Sequence, residues 1–375
     1  MPGIYIHIPF CKQKCHYCNF YALASVKYKE VFVDALLKEL VFRKDYLSDN
    51  HINTIYFGGG TPSLLKPEEI NRVLDKIRKH FQLSPQAEIT LEANPDDLSA
   101  DYLKALKNET AINRLSMGVQ SFFDDDLQYL HRVHKGEDAR HAIEHALKSG
   151  FTNMSIDLIY GIPTLTIEKW KQNLALFFSY GIPHLSSYAL TVESKTALQI
   201  LIDNKKMQNT NEDETVLHFE ILQEQTRQHG FVHYEISNFA KTGFYSKHNS
   251  IYWLGGHYLG LGPSAHSYNG ISRQWNVSNM KQYVEAEVVD KIMLEKEVLT
   301  KEQRYNEYIM TSLRTSWGCD REHLQNIFGE KYAALFRHSI QKYLDNGQLI
   351  QKGSQFTLTE DAKLFADGIA ADLFV

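Results

Sequence analysis

The chain has 375 residues, 43% of them hydrophobic and 23% charged, which is ordinary globular composition and enough length for more than one domain. A formal net charge of −5 at pH 7 provides no global field to attract nucleic acid or an anionic membrane. We find no signal peptide and no apolar run long enough to span a bilayer. We therefore expect a cytoplasmic protein that reaches a membrane only through a partner.

Strand-like and helix-like stretches alternate over the first 190 residues. Strands are predicted at 5–9, 54–58, 88–93, 114–119, 153–160 and 184–190. Amphipathic helices are predicted at 28–47, 67–81, 100–107, 137–148 and 166–180. This alternation predicts an α/β fold, a partial (β/α)6 barrel whose site lies on loops at the carboxyl ends of parallel strands.

Three of the four cysteines, Cys11, Cys15 and Cys18, directly follow the first predicted strand. So tight a cluster in a cysteine-poor chain indicates metal ligation rather than a disulfide framework. Three thiolates would leave one iron of an iron–sulfur cube open, and an open metal position is where a substrate or cofactor binds. Zinc completed by His7 or His16, and plain buried or surface cysteines, are the alternatives that these residues leave open.

The motif Cys11-x3-Cys15-x-Tyr17-Cys18 resembles the cluster motif of radical S-adenosylmethionine (SAM) enzymes, in which an aromatic residue directly precedes the third cysteine. The resemblance implies a [4Fe–4S] cluster held by the three cysteines, with SAM chelating the fourth iron. Reduction of such a cluster cleaves SAM to a 5′-deoxyadenosyl radical.

A glycine-rich segment follows the second predicted strand, and Glu92 ends the third. Glycines let the backbone approach a ligand closely, although a tight strand-to-helix turn explains them equally well. A carboxylate at a strand end can accept hydrogen bonds from a ribose or an ammonium, or lie at the surface. The resemblance implies that Gly59, Gly60, Thr61 and Glu92 contact SAM.

Polar side chains also stand at or after the fourth and fifth predicted strands. Gln120 offers a donor and an acceptor, and Arg132 can pair with a carboxylate through two hydrogen bonds. Asp157 lies within an apolar strand and needs a partner, for which a structural hydrogen bond is the alternative to a ligand. Their spacing resembles that of the coproporphyrinogen oxidase branch of the superfamily, which implies that all three bind SAM. The same resemblance adds Tyr5, Tyr17 and Ala189 as SAM contacts.

A further motif, His248-Asn249-x-x-Tyr252-Trp253, places an imidazole beside two large aromatic side chains. Such a group can ligate or cradle a porphyrin, and aromatic packing that closes the open edge of the barrel is the alternative. The motif resembles the signature of HemW proteins, which are regarded as haem chaperones. The resemblance implies haem as cargo and His248 as its candidate ligand.

The C-terminal part has a different pattern, with helices predicted at 300–313, 321–328 and 331–346 and two short strands after them. Helices followed by a hairpin resemble a winged helix. The last of these helices carries only three basic residues, so nucleic-acid binding is not expected. We predict a radical SAM core at 1–235, a connecting region with the His248 motif at 236–293, and a smaller, mainly helical, winged-helix-like domain at 294–375.

Two departures from the oxidase pattern favour the HemW branch. Oxygen-independent coproporphyrinogen oxidases carry a fourth cysteine where this chain has Phe20, and a long segment before the first cysteine where this chain has ten residues. We therefore expect a haem chaperone that delivers haem to apo-haemoproteins of the respiratory chain. The alternatives are oxidative decarboxylation of coproporphyrinogen III and radical SAM chemistry on another substrate.

Overall fold

The computed structural model describes residues 2–286 and 294–375, and one large sheet dominates it. Six parallel strands lie side by side in chain order: β1 (Gly3–Ile8), β2 (His51–Gly59), β3 (Gln82–Ala93), β4 (Arg114–Gln120), β5 (Met154–Tyr160) and β6 (His184–Ala189). The helices between them are α1 (Lys29–Phe42), α2 (Pro67–His80), α3 (Ala100–Glu109), α4 (Asp124–Tyr129), α5 (Gly136–Lys148) and α6 (Ile167–Ser179). These elements confirm the predicted α/β partial barrel.

The sheet continues past both of its parallel edges. Beyond β6 lie β8 (Asn238–Ala240) and then β7 (Val232–Glu235), both antiparallel to their neighbours. Beyond β1 lie a parallel strand, β9 (Tyr258–Leu261), and the antiparallel strands β10 (His266–Tyr268), β11 (Ser272–Asn276) and β12 (Leu294–Val298). Among the described residues no pairing joins β7 to β12, so the barrel stays open.

The strands have an apolar outer face and a polar inner face because successive side chains point to opposite sides. On β1 the outward residues Ile4, Ile6 and Ile8 are fully buried beneath the helices, whereas Tyr5 and His7 face the barrel lumen. The helices outside begin at side-chain caps where the sequence provides them. Ser99 accepts a hydrogen bond from the backbone N–H of Tyr102 at the start of α3.

A short helix, α9 (Lys247–Trp253), covers the amino ends of the barrel strands. It is held there because the backbone N–H of His248 donates to Glu88 Oε1 at 3.1 Å and its ring bonds to Thr54 on β2. The remaining helices of this part of the chain are α7 (Ala197–Asp203), α8 (Glu212–Gln228) and α10 (Met280–Glu285). Within the described residues, no helix has both the length and the apolar character needed to cross a bilayer.

The C-terminal domain has its own hydrophobic cluster, formed by buried side chains between Tyr305 and Leu373. Its helices are α11 (Lys301–Leu313), α12 (Arg321–His323), α13 (Glu330–Asp345) and α14 (Ala366–Asp372). They pack on a three-stranded sheet of β13 (Cys319–Asp320), β15 (Gln355–Leu358) and β14 (Leu349–Lys352), in that order. The helical, winged-helix-like character is thereby confirmed. The domain boundaries at 235 and 293 stay predictions, and 287–293 lie outside the described residues.

Candidate functional site

A cavity of about 460 Å³ opens at the carboxyl ends of the parallel strands, where the βα loops meet. The loop after β1 contributes the cysteines to its wall, and the other βα loops contribute polar side chains. The structure brings together most of the residues expected from the sequence. The cavity is lined by Cys11, Cys15, Tyr17, Cys18, Gly59, Gly60, Thr61, Glu92, Gln120, Arg132, Asp157 and Ala189.

The three cysteines of the first loop are free thiols that are partly exposed to the cavity. Burial raises the pKa of Cys11 and of Cys18, so a bound metal would be what holds them as thiolates. The guanidinium of Arg132 donates to Cys15 Sγ at 3.3 Å and would offset part of their negative charge. A soft, three-thiol donor set beside a cation fits an iron–sulfur cluster.

Zinc, the alternative metal for this loop, fits the geometry less well. Structural zinc takes four protein ligands, and this loop provides three cysteines. His7, one of the two histidines considered for zinc, uses both ring nitrogens elsewhere. They lie 2.8 Å from the carbonyl oxygen of Tyr21 and 3.0 Å from the hydroxyl of Tyr5.

The glycine loop after β2 is hydrogen-bonded to the carboxylate of Glu92. Glu92 accepts hydrogen bonds from the backbone N–H of Gly59 at 3.1 Å and from the hydroxyl of Tyr56 at 2.7 Å. Burial raises the pKa of Glu92 to about 7, with a further contribution from Asp157. A Cβ on Gly60 would lie 2.7 Å from the carbonyl oxygen of Phe10, so glycine is required where this loop meets the cysteine loop.

Arg132 is half-buried beside the cavity, and only some of its N–H donors form hydrogen bonds. Its Nη2 donates to Asn94 Oδ1 at 2.7 Å and to the carbonyl oxygen of Gly118 at 2.9 Å. Its Nε is buried and finds no hydrogen-bond partner among the described residues. A guanidinium with a spare donor, next to the thiols, can bind the carboxylate of a ligand.

Asp157, on β5, forms the floor of the cavity. It accepts a hydrogen bond from Ser116 Oγ at 3.4 Å, and burial raises its pKa to about 6. Two carboxylates with raised pKa values therefore face the same cavity, and neither forms an ion pair with another described residue. Such groups can accept hydrogen bonds from the hydroxyl or ammonium groups of a ligand.

Two expected site residues do not line this cavity. Tyr5 lies lower in the lumen, where its ring stacks on Tyr56 at a centroid distance of 6.2 Å. His248 is 1% exposed and lies at the amino ends of the strands. Its Nδ1 is 2.8 Å from Thr54 Oγ1 and its Nε2 is 2.9 Å from the hydroxyl of Tyr252. Both ring nitrogens are therefore engaged within the protein.

Sequence reasoning missed several residues of the site. One of them is Asn94, whose side chain donates to Thr61 Oγ1 and accepts from Arg132. Tyr188 also lines the cavity, at alternate spacing from the inward-facing Ser186 on β6. Period-two counting along each predicted strand would have found Tyr188, because side chains on one face recur at every second position.

An open barrel of βα units, three free cysteines on its first loop and a glycine-rich second loop define a radical SAM protein. In agreement, the Radical SAM superfamily matches residues 5–177 and the HemN C-terminal domain matches residues 299–365. The chain is 35% identical to the "Heme chaperone HemW" of Bacillus subtilis (strain 168), over 98% of both chains. It is 32% identical to that of Lactococcus lactis subsp. lactis (strain IL1403), over 95% of this chain and 93% of the relative. The chain belongs to the HemW family.

Among solved structures, the coproporphyrinogen III oxidase (HemN) of Escherichia coli superposes with a TM-score of 0.84 at 24% identity. The superposition covers 100% of this chain and 90% of that one. At this identity the match establishes a shared fold, in which the barrel and the C-terminal domain are both present, and nothing about a shared reaction.

Proposed function

We propose that the chain is a haem chaperone that binds haem and transfers it to apo-haemoproteins, among them those of the respiratory chain. The observation that carries the proposal is the similarity over nearly the full length to proteins named heme chaperone HemW. The chaperone would work in the cytoplasm and meet a membrane only through an acceptor protein.

We propose further that Cys11, Cys15 and Cys18 hold a [4Fe–4S] cluster. When bound and reduced, the cluster supplies the electron for reductive cleavage of SAM. The three free thiols on one loop and the adjacent guanidinium of Arg132 support this assignment. The matched control is the fourth cysteine, Cys319, which is fully buried in the C-terminal domain and away from the cavity. Cys18→Ser is expected to lose iron on anaerobic reconstitution, whereas Cys319→Ser keeps it.

The cavity beside the cysteines is the proposed SAM site. Its spare donors and acceptors are complementary to an amino acid and a ribose: Arg132 for the carboxylate, the glycine loop for the amino group, and Asp157 for hydroxyls. Gln120 and Glu92 add further polar contacts, and Tyr17 and Ala189 add apolar ones. Tyr5 would act only indirectly, by packing against Tyr56, which binds Glu92.

The oxidase alternative is tested in the same reconstituted sample. Phe20, at the position of the oxidases' fourth cysteine, is 65% exposed at the cavity rim and offers no metal ligand or proton donor. We would add SAM, a reductant and coproporphyrinogen III, and measure deoxyadenosine and porphyrin product together. Deoxyadenosine without decarboxylation, and haem transfer from the protein to an apo-haemoprotein, are the expected results. Protoporphyrinogen formed in step with deoxyadenosine would overturn the chaperone proposal.

A further inference from the structure

The side chain of Asn94, which directly follows β3, connects two walls of the cavity beside the cysteines. Its Nδ2 donates to Thr61 Oγ1 in the glycine loop at 3.1 Å, and its Oδ1 accepts from Arg132 Nη2 at 2.7 Å. The orientation of the amide follows from its partners, because a guanidinium offers only donors and must meet the oxygen. Asn94 lines the cavity, yet both ends of its amide are bonded to neighbouring side chains.

Asn94 is itself held in place by the two loops around it. Its backbone N–H donates to Ser63 Oγ at 3.3 Å, and that hydroxyl donates to Asp97 Oδ2 at 2.8 Å. The side chain of Asp97 is 4% exposed and pairs with Lys12, the residue that follows Cys11. Residues 94–97 are thereby joined to the glycine loop on one side and to the cysteine loop on the other.

Gly118, on β4, leaves the space in which the side chains of this wall meet. Its carbonyl oxygen accepts a second hydrogen bond from Arg132 Nη2, at 2.9 Å. A Cβ on Gly118 would lie 3.5 Å from that same Nη2, 3.5 Å from Asn94 Oδ1 and 2.9 Å from Gln120 Nε2. The side chains of Arg132, Asn94 and Gln120 therefore pack over a strand position that carries no side chain.

These contacts determine the orientation of the Arg132 guanidinium. Nη2 is bonded to Asn94 and Gly118, and Nη1 donates to Cys15 Sγ at 3.3 Å. The buried Nε has no hydrogen-bond partner among the described residues and stays available to a ligand. A free arginine side chain loses conformational entropy when a ligand immobilises it, and one that is already held in position loses less.

We propose that Asn94 is a positioning residue for SAM binding, which holds the guanidinium of Arg132 in the orientation that meets the SAM carboxylate before SAM binds. The inference rests on the proposed SAM site and adds to it a residue that acts through Arg132. An amide suits this role because its oxygen accepts from the guanidinium without neutralising the positive charge. A carboxylate at the same place would compete with the carboxylate of the ligand for Arg132.

The test compares two ligands by calorimetric titration of the full-length, cluster-loaded protein, with equal iron per chain in every sample. Asn94→Ala should bind SAM ~10-fold more weakly than the wild type does. Decarboxylated SAM, which differs from SAM only in lacking the carboxylate, should bind variant and wild type alike. The matched control is Asn108→Ala, at an exposed position of α3, which should bind both ligands like the wild type.

A double-mutant cycle tests whether Asn94 acts through Arg132. Arg132→Ala should weaken SAM binding, and adding Asn94→Ala to it should weaken binding by less than about twofold more, because substitutions that remove the same interaction are not additive. The inference is overturned if Asn94→Ala binds SAM like the wild type, if it weakens both ligands by the same factor, or if the two substitutions are additive. Failure of the wild type itself to bind SAM would instead refute the proposed SAM site, and the inference with it.

Discussion

At the residue scale, the barrel lumen contains two acidic side chains whose pKa values lie close to neutral pH. Glu92 has a pKa of about 7 and Asp157 a pKa of about 6, in both cases chiefly because burial disfavours the charged form. The hydrogen bond from Tyr56 to Glu92 works in the opposite direction and limits the rise. A small change of pH near neutrality therefore changes the charge of the proposed SAM site.

We expect SAM binding to strengthen as the pH rises from 6 to 8. The raised pKa means that Glu92 is mostly protonated at pH 6 and mostly ionised at pH 8, and the ionised form accepts hydrogen bonds from ammonium or hydroxyl groups. Because the ionised fraction grows about tenfold across this interval, the dissociation constant should fall by up to about tenfold. Calorimetric titration of the cluster-loaded protein with SAM at several pH values measures this dissociation constant.

The matched variant for this experiment is Glu92→Gln, which keeps an oxygen for the Gly59 N–H but never ionises. Between pH 7 and 8 the SAM affinity of this variant should change less than that of the wild type. The change at lower pH that Asp157 causes should remain. If the SAM affinities of wild type and variant changed with pH in the same way, the role assigned to Glu92 would be contradicted.

Residue-level prediction from the sequence succeeded where a side chain lies next to a strand end. The carboxyl ends of parallel strands converge, so Cys11 and Glu92 were expected at one place; both line the cavity, and their roles stay predictions. The accessibility of His248 was not predictable in this way. Its burial depends on contacts with Thr54 and Glu88, nearly 200 and 160 positions away in sequence.

At the element scale, the long parallel strands were predictable and the short antiparallel ones were not. The buried run of β5 was predicted at 153–160 and is observed at Met154–Tyr160. By contrast, β9, with four residues, and β10, with three, lie in a glycine-rich stretch where no strand was predicted. Strands this short carry too few alternations to define a period, and their pairing partners decide their conformation.

The packing of two neighbouring loops gives a prediction at this scale. A Cβ on Gly60 would lie 2.7 Å from the carbonyl oxygen of Phe10 and 3.0 Å from Cys11 Sγ. Gly60→Ala should therefore displace the cysteine loop, at a cost of about 1–3 kcal/mol in unfolding free energy. We expect a clear drop in iron per chain after reconstitution, measured by iron analysis and absorbance.

The control for this substitution is Gly368→Ala. Gly368 lies in α14, and a Cβ there would meet no heavy atom within 4 Å. Alanine favours a helix over glycine, so stability should be unchanged or slightly higher and iron content equal to wild type. Full iron incorporation by Gly60→Ala would show that the two loops do not constrain each other.

At the scale of the whole molecule, the C-terminal domain is joined to the barrel by polar contacts around Glu235. This carboxylate is 1% exposed at the end of β7, and Arg314 of the C-terminal domain donates to its Oε1 from Nε at 3.3 Å and from Nη2 at 3.2 Å. Its Oε2 accepts from the Ser237 backbone N–H and the Asn238 side chain. The same guanidinium lies 5.4 Å from the ring centroid of Trp253, the last residue of the His248 motif.

Removing this guanidinium should uncouple the two parts of the molecule. Arg314→Ala leaves the buried carboxylate of Glu235 without its cationic partner, and breaking a buried pair from one side costs about 3 kcal/mol. Arg337→Ala is the matched control, because Arg337 pairs with an exposed Glu330 and its loss should cost at most about 1 kcal/mol. Urea unfolding of both variants measures the difference. Equal unfolding midpoints for the two variants would mean that this contact does not join the two parts of the molecule.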